Sequence, residues 1–97
     1  MTRAPDTLDF ASATTSVAVL DRSLRSEAGA DGRVCLDLST LSRFDSAALA
    51  VLLELRRRFG GASGRFVAIN PPPKLRGLAE VYGGDELLFG APPAARQ

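Results

Sequence analysis

No histidine occurs anywhere in the 97 residues. That absence removes the usual general base at neutral pH, the Ser-His-Asp and Cys-His arrangements, and the commonest zinc ligand. Neither standard spacing of a glycine-rich phosphate loop is present. An enzyme built on this chain would have to work with scattered carboxylates and hydroxyls, so neither catalysis nor a cofactor is expected. Basic excess is missing too: the net charge is +1 and aromatic residues make up 6%. General attraction to nucleic acid is therefore not expected. The longest apolar run, Ala47 to Leu53, is far too short to span a bilayer, so no direct membrane insertion is expected. The opening Met1-Thr-Arg-Ala-Pro5 is not followed by a hydrophobic region, which points to the cytoplasm rather than to export. A single cysteine, Cys35, allows no internal disulfide. Its place in an apolar strand suits a small core residue better than a nucleophile.

What is present suits one small domain with one core. Residues 1–6 are expected to be a flexible terminus, 7–89 the folded domain and 90–97 a loose Ala/Pro-rich tail. Thr7 to Ala13 reads as a strand with Leu8 and Phe10 on one face. Thr14, Thr15 and Ser16 then offer a helix cap. Val17, Leu20, Leu24 and Ala28 follow at helical spacing, with Asp21 and Arg25 paired at i,i+4. Gly29 to Gly32 closes that helix. Arg33 to Ser39 is the clearest strand, with Val34, Leu36 and Leu38 on one side and Cys35 and Asp37 on the other. A second helix is predicted from Ser46 to Phe59, its apolar face made of Leu49, Leu52, Leu53, Leu55 and Phe59. Glu54 and Arg58 stand in the favourable i,i+4 order. Gly60, Gly61 and Gly64 form a loop, and Arg65 to Asn70 a strand closed by Pro71 to Pro73. The third helix carries Leu75, Leu78, Ala79 and Tyr82 on its inner face and stops at Gly83 and Gly84. Asp85 to Phe89 is read as a short final turn whose Leu87 and Leu88 cover the sheet. Strand and helix alternate, which implies an α/β fold: a mostly parallel or mixed sheet of three to five strands with three to four helices.

The chemistry concentrates at the junction of the central strand and the second helix. Ser46 follows Asp45 at the helix start, where the helix dipole favours a phosphate; the plain alternative is a helix cap. Ala47, Ala50 and Glu54 lie on the same outer side, away from the leucines. Small residues there would let a partner approach closely, although alanine is also simply the best helix former. Asp37 stands near the C-terminal end of its strand, the usual functional edge of an open α/β sheet. It also suits a loop-fixing role, since Asp side chains commonly accept nearby backbone N–H groups.

At Val34-Cys-Leu-Asp-Leu-Ser39 and Phe44-Asp-Ser-Ala-Ala-Leu49 the chain resembles the STAS domain family, which includes the anti-sigma-factor antagonists. The family pattern is a hydrophobic strand ending in Asp-Leu-Ser, then an Asp-Ser-x-Gly-Leu turn into a helix. Its usual glycine is Ala48 here, and of the loop before the first helix only Thr14 matches. The run Asn70-Pro-Pro-Pro-Lys-Leu-Arg-Gly-Leu-Ala-Glu-Val-Tyr-Gly-Gly-Asp-Glu-Leu-Leu88 is similar to the ending of MlaB-like members. Those are STAS subunits of a phospholipid-transport ABC complex. The resemblance implies a non-catalytic interaction module that binds the ABC-transporter ATPase through Ser46, flanked by Asp45, with Ala47, Ala50 and Glu54 beside it. Asp37 and Thr14 would support the loops, and the protein would sit in the cytoplasm, held at the inner membrane through the transporter. The alternative it implies is an antagonist of an anti-sigma factor kinase, switched by phosphorylation of Ser46.

Overall fold

A computed structural model describes residues 2–61, 65–83 and 88–89. Along the chain run β1 (Thr2–Arg3), β2 (Thr7–Leu8), α1 (Ala13–Glu27), β3 (Val34–Asp37), β4 (Arg43–Phe44), α2 (Ala47–Arg58), β5 (Phe66–Ile69) and α3 (Pro73–Val81). Strand β3 is central, because its alternation puts Val34 and Leu36 into the core and leaves Cys35 and Asp37 half-buried on the other face. β5 lies parallel beside it, with Val34 opposite Phe66 and Asp37 opposite Ile69. Cys35 is therefore only half-buried, opposite Val67, rather than a core residue.

The other edge of β3 is taken by β1, also parallel, with Thr2 opposite Leu36 and Arg3 opposite Asp37. Residues 2–4 thus differ from the expected frayed terminus. Thr2 and Ala4 are buried. The ladder continues through the Ala4 N–H, which donates to the Asp37 carbonyl at 2.8 Å. The polar loop after β3 holds the segment in place. Thr40 Oγ1 donates to the Ala4 carbonyl at 2.7 Å, and the N–H groups of Ser42 and Arg43 both reach the Asp6 carbonyl at 2.9 Å. Satisfying an otherwise open strand edge gives these few residues a reason to order.

A second, two-stranded parallel sheet joins β2 to β4, pairing Leu8 with Phe44. The strand expected over Thr7–Ala13 contracts to Thr7–Leu8, because a turn at Asp9–Ser12 ends it. Phe10 accordingly leaves the sheet and is 85% exposed. Ser12, rather than Thr14 to Ser16, takes the N-cap position of α1.

The three helices close the core. α1 buries Leu20 and Leu24, with Val17 and Ala28 packed partly against them. α2 buries Ala48, Leu49, Val51, Leu52 and Leu55. Ala48 is fully buried where the family pattern carries glycine, so the position has no room for a large side chain. Leu53 differs from its expected core role: it is 39% exposed, because the buried face centres on Ala48, Leu52 and Leu55 and turns Leu53 to one flank. α3 buries Leu75 and Ala79, but Tyr82, expected on that face, is 66% exposed at the C-cap. Gly83 ends this helix with φ +74°, a left-handed conformation that suits glycine. Leu88 is buried as expected. Gly64, Gly84, Asp85 to Leu87 and the tail at 90–97 lie outside the described residues.

Candidate functional site

The two short parallel strands β2 and β4 end side by side, and this sets the site. Leu8 is followed by Asp9 and Phe44 by Asp45, so two loops leave the same sheet edge. The Asp45 N–H donates to the Leu8 carbonyl at 3.4 Å. Its carboxylate does two further jobs. Oδ1 accepts from the Ala47 N–H at 2.8 Å, and Oδ2 accepts from the Phe10 N–H at 3.2 Å. Asp45 thus supplies the side-chain cap of α2 and ties that helix start to the β2–α1 turn.

Ser46 occupies the N-cap position but does not cap. Its backbone is already helical, at φ −61° and ψ −19°, and its side chain makes no cap hydrogen bond. The residue is exposed. Among the described residues its hydroxyl makes no side-chain hydrogen bond.

The β2–α1 turn is locked by a reciprocal pair. Asp9 Oδ1 accepts from the N–H and the hydroxyl of Ser12, both at 3.0 Å, and the Asp9 N–H reaches Ser12 Oγ at 3.2 Å. These two residues provide the loop support expected of Thr14. Thr14 is exposed in the first turn of α1 and makes no side-chain hydrogen bond among the described residues. The Asp-x-x-Ser spacing was the available signal, since such side chains compete locally for backbone N–H groups.

Asp37 has the loop-fixing geometry. Its Oδ1 accepts from the Ser39 N–H at 2.9 Å and from Asn70 Nδ2 at 3.3 Å. The Ser39 N–H, then the Ser39 hydroxyl and Asn70, hold this carboxyl below its ordinary range. Asn70 sits at φ +56°, a conformation that Asn tolerates better than most residues. Asp37 and Asn70 join the ends of β3 and β5, not the Ser46 loop.

Around α2 the expected contact residues divide. Ser46 and Ala50 line a groove of about 310 Å³ with Leu49, Leu53, Ala79, Tyr82 and Leu88. Ala47 is half-buried. Glu54 faces the other way, beside Thr14, Val17, Ala18 and Arg58 between α1 and α2. It is also occupied: Arg57 Nη2 donates to it at 2.7 Å and Arg58 Nε at 2.8 Å. Those hydrogen bonds, Arg57's first, hold the Glu54 carboxyl down at about 2. Arg58 continues to Asp21 of α1 at 2.6 Å, and Arg25 also bonds Asp21. Burial pushes the Asp21 carboxyl up, but the hydrogen bonds and charges of Arg58 and Arg25 outweigh it and keep it low. This network belongs to the α1–α2 junction. Leu53 and Tyr82, which the sequence pattern assigns to a core, are instead apolar walls of the Ser46 groove.

Both carboxylate oxygens of Asp45 and Oδ1 of Asp37 accept from backbone and amide donors. Among the described residues no three His, Cys, Asp or Glu side chains gather into a metal site. No helix among them is long and apolar enough to cross a membrane.

Known proteins bear on this geometry in two ways. Residues 5–89 match the family model described as "Mlab, STAS domain". The solved structure of the anti-sigma factor antagonist SpoIIAA in its unphosphorylated form is similar in fold, with a TM-score of 0.65 and 21% sequence identity. That comparison covers 97% of this chain and 80% of the other. Among curated proteins no relative matches.

Proposed function

The chain belongs to the STAS domain family, and on that premise we propose that it is an MlaB-like regulatory subunit. It docks on the ATPase of a phospholipid-transport ABC complex from the cytoplasmic side. The observation that carries this reading is the apolar groove beside an idle hydroxyl: Leu53 and Tyr82 stand exposed next to Ser46 and Ala50. Neighbouring exposed apolar side chains around small residues mark a protein interface more readily than a solvated surface. An apolar side chain from the ATPase would fill the groove, and Ser46 would contribute a hydrogen bond at its rim.

One observation favours a second reading, an anti-sigma-factor antagonist switched at Ser46. The hydroxyl is exposed and makes no cap, so a kinase could reach it without disturbing the helix. A phosphate would bring about −1.5 to −2 charges. The helix N-terminus would favour them and neighbouring Asp45 would oppose them.

Titration of the purified protein against the ATPase subunit and against an anti-sigma-factor kinase separates the two. Saturable binding to the ATPase, weakened by Leu53→Asp, supports the transporter reading. Binding to the kinase alone, with phosphate transferred to Ser46, replaces it with the second.

A further inference from the structure

We propose that an arginine-lined cleft at the C-terminal ends of α1 and α2 binds a phosphate group. The cleft lies at the end of α2 away from Ser46, about 18 Å along the helix, and does not depend on the docking reading. It has a volume of about 350 Å³, and its walls include Arg25, Arg58, Arg65, Phe59, Gly32 and Gly60. Two of these guanidiniums are held in place before any ligand arrives. Asp21 accepts from Arg25 Nε and from Arg58 Nη1. Arg58 Nε also donates to Glu54. Arg25 lies over the buried Phe59 ring, its Cζ 4.9 Å from the centroid. These anchors leave Nη2 of Arg58 and both terminal nitrogens of Arg25 without a hydrogen-bond partner among the described residues. Arg65 is exposed, and its whole guanidinium fork is free in the same sense.

Arginines beside helix C-termini often bond the last carbonyls. None of these three does so among the described residues; the bonds of Arg25 and Arg58 go to Asp21 and Glu54. Each helix end adds only about half a negative charge, and Asp21 and Glu54 together face four guanidiniums, Arg57 included. The cleft therefore keeps an excess of positive charge, although the whole chain carries only +1. A guanidinium presents a planar fork of N–H donors that matches phosphate oxygens, and such bonds are charge-assisted. Three forks around one cavity suit a tetrahedral oxyanion better than a flat carboxylate. Free phosphate and a phospholipid headgroup offer the same chemistry to this cleft.

The test is a calorimetric titration of the purified protein with inorganic phosphate at constant ionic strength, beside a thermal melt of each variant. A second arm uses phosphatidylcholine vesicles with and without phosphatidic acid. Arg65→Ala removes an exposed side chain that pairs with nothing among the described residues, and should melt as wild type does. Arg43→Ala removes the same charge from exposed β4, outside the cleft, and serves as control. Saturable one-to-one binding is expected, weakened at least about tenfold by Arg65→Ala and unchanged by Arg43→Ala. That pattern with free phosphate assigns a soluble ligand; the same pattern with phosphatidic acid vesicles alone assigns a lipid headgroup. Equal losses in Arg65→Ala and Arg43→Ala would mean diffuse attraction and overturn the site. Absence of binding in both arms overturns it too, and leaves the docking reading untouched.

Discussion

Arg58 of α2 reaches Asp21 of α1 at 2.6 Å while its Nε bonds Glu54 on its own helix at 2.8 Å. One guanidinium therefore joins two helices and two carboxylates. The consequence for pH is directional. Glu54 is held at about 2 in the folded protein against an ordinary 4.5. Its contribution is therefore complete above pH 4.5 and is lost as pH falls toward about 2. Asp21, also lowered, adds in the same sense. Urea midpoints measured from pH 6 down to pH 2 should fall more steeply for wild type than for Glu54→Gln. Parallel curves would show that the pairs are too solvated to matter, as many surface ion pairs are.

Leu52 and Leu53 are neighbours in sequence but not in environment. Leu52 is fully buried and Leu53 borders the groove. Leu52→Ala should cost about 2–5 kcal/mol in a urea titration, the usual range for a buried leucine. Leu53→Ala should stay within about 0.5–1 kcal/mol, as partly exposed positions do. Equal losses would mean that Leu53 belongs to the core after all.

The division of labour at the α2 start gives a third contrast. Asp45 caps the helix and Ser46 does not. Asp45→Ala should destabilise the protein by about 1 kcal/mol, typical for a lost cap. Ser46→Ala should leave the melting temperature unchanged. The reverse order would return the serine to the structural role that its position alone suggests.

The sequence made the long, periodic elements legible. β3, β5 and the three helices announce themselves through period-two and period-3.6 patterns, and those patterns survive packing. The two-residue strands β1 and β4 carry no period at all, and β1 exists because β3 offers an edge that tertiary folding fills. The Asp45-Ser46 junction is legible as a helix start, but which of the two side chains caps depends on where the β2–α1 turn lies. The groove was least legible. Its walls are leucine and tyrosine, which any periodicity argument assigns to a core, and only the placement of α3 beside α2 leaves Leu53 and Tyr82 at the surface. Helical direction groups Glu54 with Ser46, yet Arg57 and Arg58 hydrogen-bond it, and Arg58 links it to Asp21 across the α1–α2 junction.

Ser46 and the groove beside it, proposed above as a docking surface that the fold does not need, are tested by a binding titration of Ser46→Asp against the ATPase subunit, beside a thermal melt. The exposed, non-capping serine should tolerate the substitution, so the variant should melt within a few degrees of wild type. A carboxylate buried unpaired at an interface is costly, so affinity should fall by at least about two orders of magnitude, or ~2.7 kcal/mol. Wild-type affinity in Ser46→Asp would remove this surface from partner binding.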